Sequence, residues 1–408
     1  GEFGAAQLRN MWTNYARAYR SRWENFDELP HSMQRLVWRN PLMLRLVAQA
    51  YGADPLPERL SSIKVFDRFF SLYVNGLPPE GKPPINRDES RLLDLLLDLL
   101  FNAETCAAER YAPVSSLQSA AKGAKLHWAR PGDADEFKSP FATLVAKGIL
   151  ELVARPVPGE VSSQGYIGFA FDRLFEFALA RRLQGRNVQA KGDDLDELIT
   201  KGRDYASIWG AARMLVHLEI ERLVTVAAEG APGITSPVPS VGVAQWLAKL
   251  LEEQHTGLRG LVTDALAQLG EEDPDLVKEL CLELLKTARA PAAHVAVAVA
   301  LQNRLKEVLL AGCTSPHRET RLRAAQGAIY LWEQDKDIGG ELFRAIGEKA
   351  QSEMAETLGS EVGFIRTALG TLGQGIWHLS LSAIQKDAER RVPSFEALAQ
   401  ISMLVHAL

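Results

Sequence analysis

Apolar residues recur at helical spacings of three and four along nearly all of this chain, and one pair of segments breaks that rhythm. ILELVAR (149–155) and YIGFAF (166–171) alternate instead, as strands do, with PVPGEVSSQ between them. Three helical segments precede this hairpin. RDESRLLDLLLDLLFNAET is strongly apolar, VSSLQSAAKG is short, and DADEFKSPFATLVAKG carries Asp135 where a helix cap is expected. Helix, helix, helix, hairpin is the order of a winged helix, and a long helix, FDRLFEFALARRLQG, follows directly. Almost everything else must fold as helices, so the expected class is mainly α with one small hairpin.

The organisation before and after this core also reads as helical. In residues 6–50, Trp12, Tyr15, Tyr19, Trp23 and Phe26 form an aromatic stripe at helical spacing, expected to be core packing. A second helix follows Leu29-Pro30 and a third follows Asn40-Pro41, with Pro41 suited to its first turn and Gly52 to its end. Ser62 to Val74 reads as one more helix. From residue 191 to 408 the chain is rich in Ala and Leu. LRGLVTDALAQLG (258–270), TRLRAAQGAIYLW (320–332) and, more weakly, PAAHVAVAVALQ (291–302) share a pattern, which suggests stacked helical hairpins of the HEAT or armadillo kind. A non-repeating helical domain is the alternative. The expected divisions are an expression scar at 1–3, a helical subdomain at 4–76, a Pro-rich linker at 77–85, a winged helix at 86–190 and helical repeats at 191–408.

Composition excludes several functions. Hydrophobic residues make up 47% and charged residues 24% of the 408, ordinary values for a globular protein. The longest apolar run, Leu92 to Phe101, is broken by Asp94 and Asp98 and is shorter than the roughly 18 residues of a membrane span. Cys106, Cys281 and Cys313 lie far apart without metal-binding spacing, which fits a reducing, cytoplasmic setting. Residues 1–190 hold 24 Lys and Arg against 21 Asp and Glu, and residues 191–408 hold 22 against 30, so neither half is strongly basic. The third helix of the winged helix carries Asp135, Glu136, Lys138 and Lys147, which sum to zero. A duplex reader needs phosphate anchors around its base contacts, so nucleic acid is not the expected partner.

The motifs of catalysis are missing. GLPPEGKPP (76–84) fits G-x-x-x-x-G-K, but Pro83 stands where a phosphate loop needs Ser or Thr for Mg2+, and its four prolines lack the amide donors of a phosphate cradle. It reads as a stiff linker. The eight histidines show no ligand spacing, and His294 sits in an Ala/Val helix as a core histidine would. Asp193-Asp194, Asp196-Glu197 and Glu271-Glu272-Asp273 are expected near helix starts, where carboxylates favour the helix dipole. No catalytic residue and no metal site is expected.

Two motifs carry a resemblance. Arg39-Asn40-Pro41-Leu42-Met43-Leu44-Arg45-Leu46 resembles the N-P-L-x-L segment of the helical lid in STAND NTPases, particularly the NACHT-like bacterial branch. Phe169-Ala170-Phe171-Asp172-Arg173-Leu174-Phe175-Glu176, with Ala180 further on, resembles the strand-to-helix junction ending that family's winged helix. The resemblance covers residues 6–190. It implies that Pro41, flanked by Asn40 and Leu42, lies against the nucleotide base, and that Phe171, Asp172 and Arg173 form the winged-helix switch region. The family's phosphate-contacting histidine would fall at Phe171, which cannot donate a hydrogen bond. Arg173 is free to pair with Glu176 on its own helix. The resemblance further implies ATP or ADP and Mg2+ in a longer parent with its phosphate loop upstream, no cofactor in this chain itself, and an active homo-oligomer. The helical repeats would then sense a protein or peptide. Arg318, Arg321 and Arg323 after TSPHRE are candidate anchors, since a guanidinium binds carboxylates bidentately, or else they solvate a helix face and pair with Glu319. A free-standing helical scaffold and a DNA-binding regulator are the other readings.

Overall fold

The structure, a computed structural model, describes most of residues 4–331; residues 1–3, 24, 39–40, 53, 56, 58–59, 76–87, 157–162, 229–238, 253–255, 288, 314, 316, 318, 321–322, 325–326, 328–329 and 332–408 lie outside the described set. The fold is mainly α with small antiparallel sheets.

Helix α1 (Ala5–Ala18) buries Leu8, Trp12 and Ala16, four residues apart on one face. The expected aromatic stripe does not continue as a helix. Arg20 adopts a left-handed φ of 54°, the chain turns, and Phe26 is buried from a separate 3₁₀ turn, Phe26–Glu28. Trp12 Nε1 donates to the Trp23 carbonyl at 3.0 Å, so the stripe closes a loop around α1. Helix α2 (His31–Trp38) and α3 (Pro41–Tyr51) follow. Helix α4 (Ser62–Phe70) passes into a π-helical turn, Ser71–Asn75, rather than running regularly to Val74.

Helix α5 (Asp88–Leu100) stops earlier than its apolar run suggests. The Asn102 side chain accepts from the Glu104 amide at 2.9 Å, and strands β1 (Phe101–Asn102) and β2 (Ala107–Ala108) pair across this tight turn. Strand β3 (Tyr111–Pro113), α6 (Val114–Gly123), α7 (Pro140–Ala146), β4 (Leu150–Pro156), β5 (Ser163–Phe169) and α8 (Asp172–Gly185) come next. The sheet runs β3-β5-β4, antiparallel throughout, and its β4-β5 pair is the expected hairpin; β3 was not legible as a strand. Asp135 does not cap α7. It precedes a 3₁₀ turn, Glu136–Lys138, and Ser139 supplies the cap by accepting from the Ala142 amide. A serine directly before Pro140 at the first helical position is the better-placed acceptor.

The chain continues through α9 (Gly192–Gly202), α10 (Ala206–Ala228), α11 (Pro239–Glu252), α12 (Thr256–Glu272), α13 (Pro274–Lys286), α14 (Ala290–Gln302) and α15 (Lys306–Cys313). Two compact units emerge, and their division does not follow the boundaries drawn from sequence. Of the described residues, those within 1–226 and 255–273 form one unit, and those within 227–254 and 274–408 form the other. Thus α9, α10 and α12 share a unit with the first eight helices. Leu258, Leu261, Val262, Ala265, Leu266 and Leu269 of α12 are buried there, and α12 packs on α2 and α9. In the second unit α11, α13, α14 and α15 pack together. Buried alanines and valines run all round α14, so neighbours approach closely; a Cβ at Gly312 would lie 2.9 Å from Val297. The pattern-related segments 258–270 and 291–302 consequently lie in different units. No described helix is long and apolar enough to cross a membrane.

Candidate functional site: a polar junction of four helices

The first turn of α4 begins with backbone N–H groups that no turn before it can satisfy. Ser61 extends its backbone at φ −112° and its hydroxyl oxygen accepts from the Lys64 amide at 3.3 Å. The Ser62 amide donates instead to Glu272 Oε2, at 3.0 Å, from the last turn of α12. The Ser61 hydroxyl donates to Glu221 Oε2 of α10 at 3.0 Å, and Lys64 Nζ lies 3.0 Å from Glu221 Oε1. Two carboxylates from distant parts of the chain therefore sit at the positive end of α4, where the helix dipole favours them.

Helix α8 enters the same junction. Arg173 Nη1 lies 3.6 Å from Glu272 Oε1, and Glu176 Oε2 accepts from Arg213 Nη2 of α10 at 3.2 Å. The expected pairing of Arg173 with Glu176 along one helix is therefore replaced by two cross-helix pairs. The reason is burial: the Glu176 side chain is 13% exposed and Arg213 22%, so each charge needs a partner inside the junction. Beside them the His217 ring Nε2 is 2.7 Å from the Ala265 carbonyl, and Trp209 Nε1 donates to Asp264 Oδ2 at 2.9 Å. One face of α12 thus presents Ala265, Gln268 and Glu272 at helical spacing, and Gln268 is buried with both amide atoms lacking a hydrogen bond.

Burial dominates the titration of this cluster. It raises the carboxyls of Glu272 and Glu176, against the opposing pull of the Ser62 amide and Arg173 on the first and of Arg213 on the second. It pushes the His217 imidazole down to about 4 despite the Ala265 bond, so the ring is neutral at neutral pH. Such a set of paired charges orients helices. Neither an activated nucleophile nor a clustered acid and base appears in it. Among the described residues no group of three or more His, Cys, Asp or Glu side chains is placed to hold a metal ion.

A second tie joins α3 to the end of α7. Arg45 Nη2 donates to the Lys147 carbonyl at 2.8 Å, at the C-terminal end of α7, and Lys147 Nζ donates to the Tyr73 carbonyl at 2.8 Å in the π-helical turn. Gly148 turns left-handed at φ +66° beside the Arg45 guanidinium. A cleft of about 470 Å3 lies between the α4 side and helices α5 and α8, with Phe70, Leu97 and Phe177 in its walls and Asp67, Arg181 and Arg182 at its polar positions.

The residues singled out from sequence are scattered over these features. Asn40 lies outside the described residues, Pro41 opens α3, and Leu42 is half-buried. Phe171 precedes α8 with extended backbone at φ −138°. Asp172 is exposed and pairs with Arg110 at 2.9 Å, and Arg173 belongs to the junction. Arg318 and Arg321 lie outside the described residues, while Arg323 is exposed and pairs with Glu319 at 2.9 Å, one turn away. His294 is buried, as expected, with its Nε2 3.6 Å from Glu319. Sequence reasoning missed Glu221, Arg213, His217 and the Ser61-Ser62 cap. Glu272 stood in a cluster expected at a helix start; it closes α12 and serves the dipole of α4 instead.

Searches of family models, of curated proteins and of solved structures each return no match to the chain.

Proposed function

We propose that this chain is the regulatory portion of a STAND-type signalling ATPase, cytoplasmic, with helices α1 to α4 (residues 4–76) as the lid, a winged helix after it, and partner recognition by the helices of residues 191–408. The observation that carries this reading is the tie between the two resembling segments' surroundings. Arg45, inside RNPLMLRL, holds the C-terminal end of α7 in the winged helix through the Lys147 carbonyl. A lid and winged helix that move together need such a bond, and a guanidinium on terminal helix carbonyls also complements the dipole. In the parent, bound ADP would favour this closed arrangement. A protein or peptide ligand would favour an open, oligomerising state by binding it better, which is how a ligand shifts such an equilibrium. ATP, ADP and Mg2+ would be held by residues upstream of this chain.

The test uses the parent polypeptide. Purified parent should retain ADP, and exchange for a non-hydrolysable ATP analogue should raise its mass in light scattering. Absence of a phosphate loop upstream of residue 4, or no retained nucleotide, overturns the reading in favour of a helical scaffold. The chain alone should not turn over ATP. Turnover abolished by Lys82→Ala would reinstate GLPPEGKPP as a phosphate loop.

A further inference from the structure

One face of α5 carries polar and apolar groups side by side. Ser90, Leu93, Asp94 and Leu97 fall three and four residues apart, so they share that face, and it forms one wall of the cleft of about 470 Å3. Phe70 of α4 and Phe177 of α8 also line the cleft, with their ring centroids 5.3 Å apart. The lining lies wholly within the first unit. Cavities of about 300–1,000 Å3 are the size that holds small organic ligands.

Charge decides what the cleft can take. Both arginines in its lining are already engaged. Arg181 donates to Asp67 and to Gln184 Oε1, and its guanidinium carbon lies 5.6 Å from the Phe177 ring centre. Arg182 gives Nε and Nη2 to Asp98 Oδ1, at 3.2 and 3.0 Å, and Asp98 also receives Arg186. Asp94 is left short. Arg182 Nη1 lies 3.3 Å from its Oδ1, and among the described residues no donor hydrogen-bonds to its carboxylate. Burial raises the Asp94 carboxyl above its ordinary range against the pull of Arg182. A carboxylate short of donors beside an apolar wall suits a cation with an apolar body. An anion would instead have to displace a carboxylate from a guanidinium. We propose that this cleft binds a primary ammonium compound with an aromatic body, the ammonium donating to Asp94 and the ring lying against Phe70 and Phe177. The proposal does not depend on nucleotide binding by any parent protein.

Two probes on the full chain test it: phenethylammonium, and 3-phenylpropionate, which has the same body and the opposite charge. A ligand-observed NMR titration should give phenethylammonium a Kd of about 1 mM, near what so small a ligand reaches. 3-Phenylpropionate should bind about tenfold more weakly or not at all, since it lacks the charge-assisted bond. Asp94→Asn should weaken phenethylammonium by about tenfold or more for the same reason. Glu104→Gln, exposed and outside the cleft, should leave its affinity unchanged. Hydrogen exchange of the unaltered chain should slow, with phenethylammonium above its Kd, in peptides from α5 and α8. No binding of phenethylammonium, equal or tighter binding of 3-phenylpropionate, or an affinity indifferent to Asp94→Asn overturns the proposal. So does slowed exchange confined to other segments, an outcome readable even if Asp94→Asn does not fold.

Discussion

Arg45 reaches 102 positions along the chain to donate its Nη2 hydrogen to the Lys147 carbonyl at 2.8 Å. Arg45→Ala removes the partner of a helix-terminal carbonyl and should destabilise the first unit by about 1–3 kcal/mol, seen as a lower urea midpoint. Gly148→Ala should cost about 1–2 kcal/mol for its left-handed backbone, and its Cβ would stand 2.9 Å from the same guanidinium. The two effects should be less than additive, because either change displaces one contact. Strict additivity in a double-mutant cycle would mean that Arg45 and Gly148 act separately.

Gly210 on α10 faces the Glu176 carboxyl, and a Cβ built there would overlap it. Replacing a helical glycine by alanine ordinarily stabilises by about 0.5–1 kcal/mol. Here the sign should reverse, because the added methyl forces Glu176 away from Arg213 in a buried setting. We expect Gly210→Ala to destabilise by about 1–3 kcal/mol. Thermal unfolding showing an unchanged or higher midpoint would contradict the placement of Glu176.

His217 gives the first unit an acid limb. Its pKa is about 4 when folded against 6.5 for an ordinary histidine, so between those values the unfolded chain binds the extra proton. Stability from this residue is complete above pH 6.5 and falls by about 3 kcal/mol on the way to pH 4. Glu272 and Glu176 oppose it, since their raised pKa values make the folded state the better proton acceptor above the ordinary carboxylate range. The measurement is therefore a difference. The gap between the protein and His217→Gln, in chemical denaturation at several pH values, should narrow below pH 6.5. A gap independent of pH would show that His217 is not buried neutral.

Helix α7, in the position of a reading helix, contains no charged residue, and the turn before it carries Glu136 and Lys138. Duplex DNA should bind this chain no better than non-specifically, with sub-micromolar, sequence-dependent affinity at physiological salt as the contrary result in a gel shift.

Local pattern determined a large part of this protein. Helical periodicity placed most helices, Pro41 and Gly52 bounded α3, and the alternation in ILELVAR and YIGFAF gave β4 and β5, because side-chain period follows directly from backbone geometry. Short features lacked such a signal. Strand β3 has three residues, and β1 with β2 ends a helix that the leucine run alone would have prolonged. The charge partners were illegible for a different reason. Arg173 and Glu176 sit one turn apart, so sequence offers them to each other, yet Glu272 and Arg213 lie far along the chain and win them through burial. The assignment of α12 to the first unit was equally hidden. An Ala/Leu helix buried on most faces fits either unit by composition, and only the tertiary structure, by matching its face at Ala265 and Glu272 to α10, α8 and α4, decides where it goes.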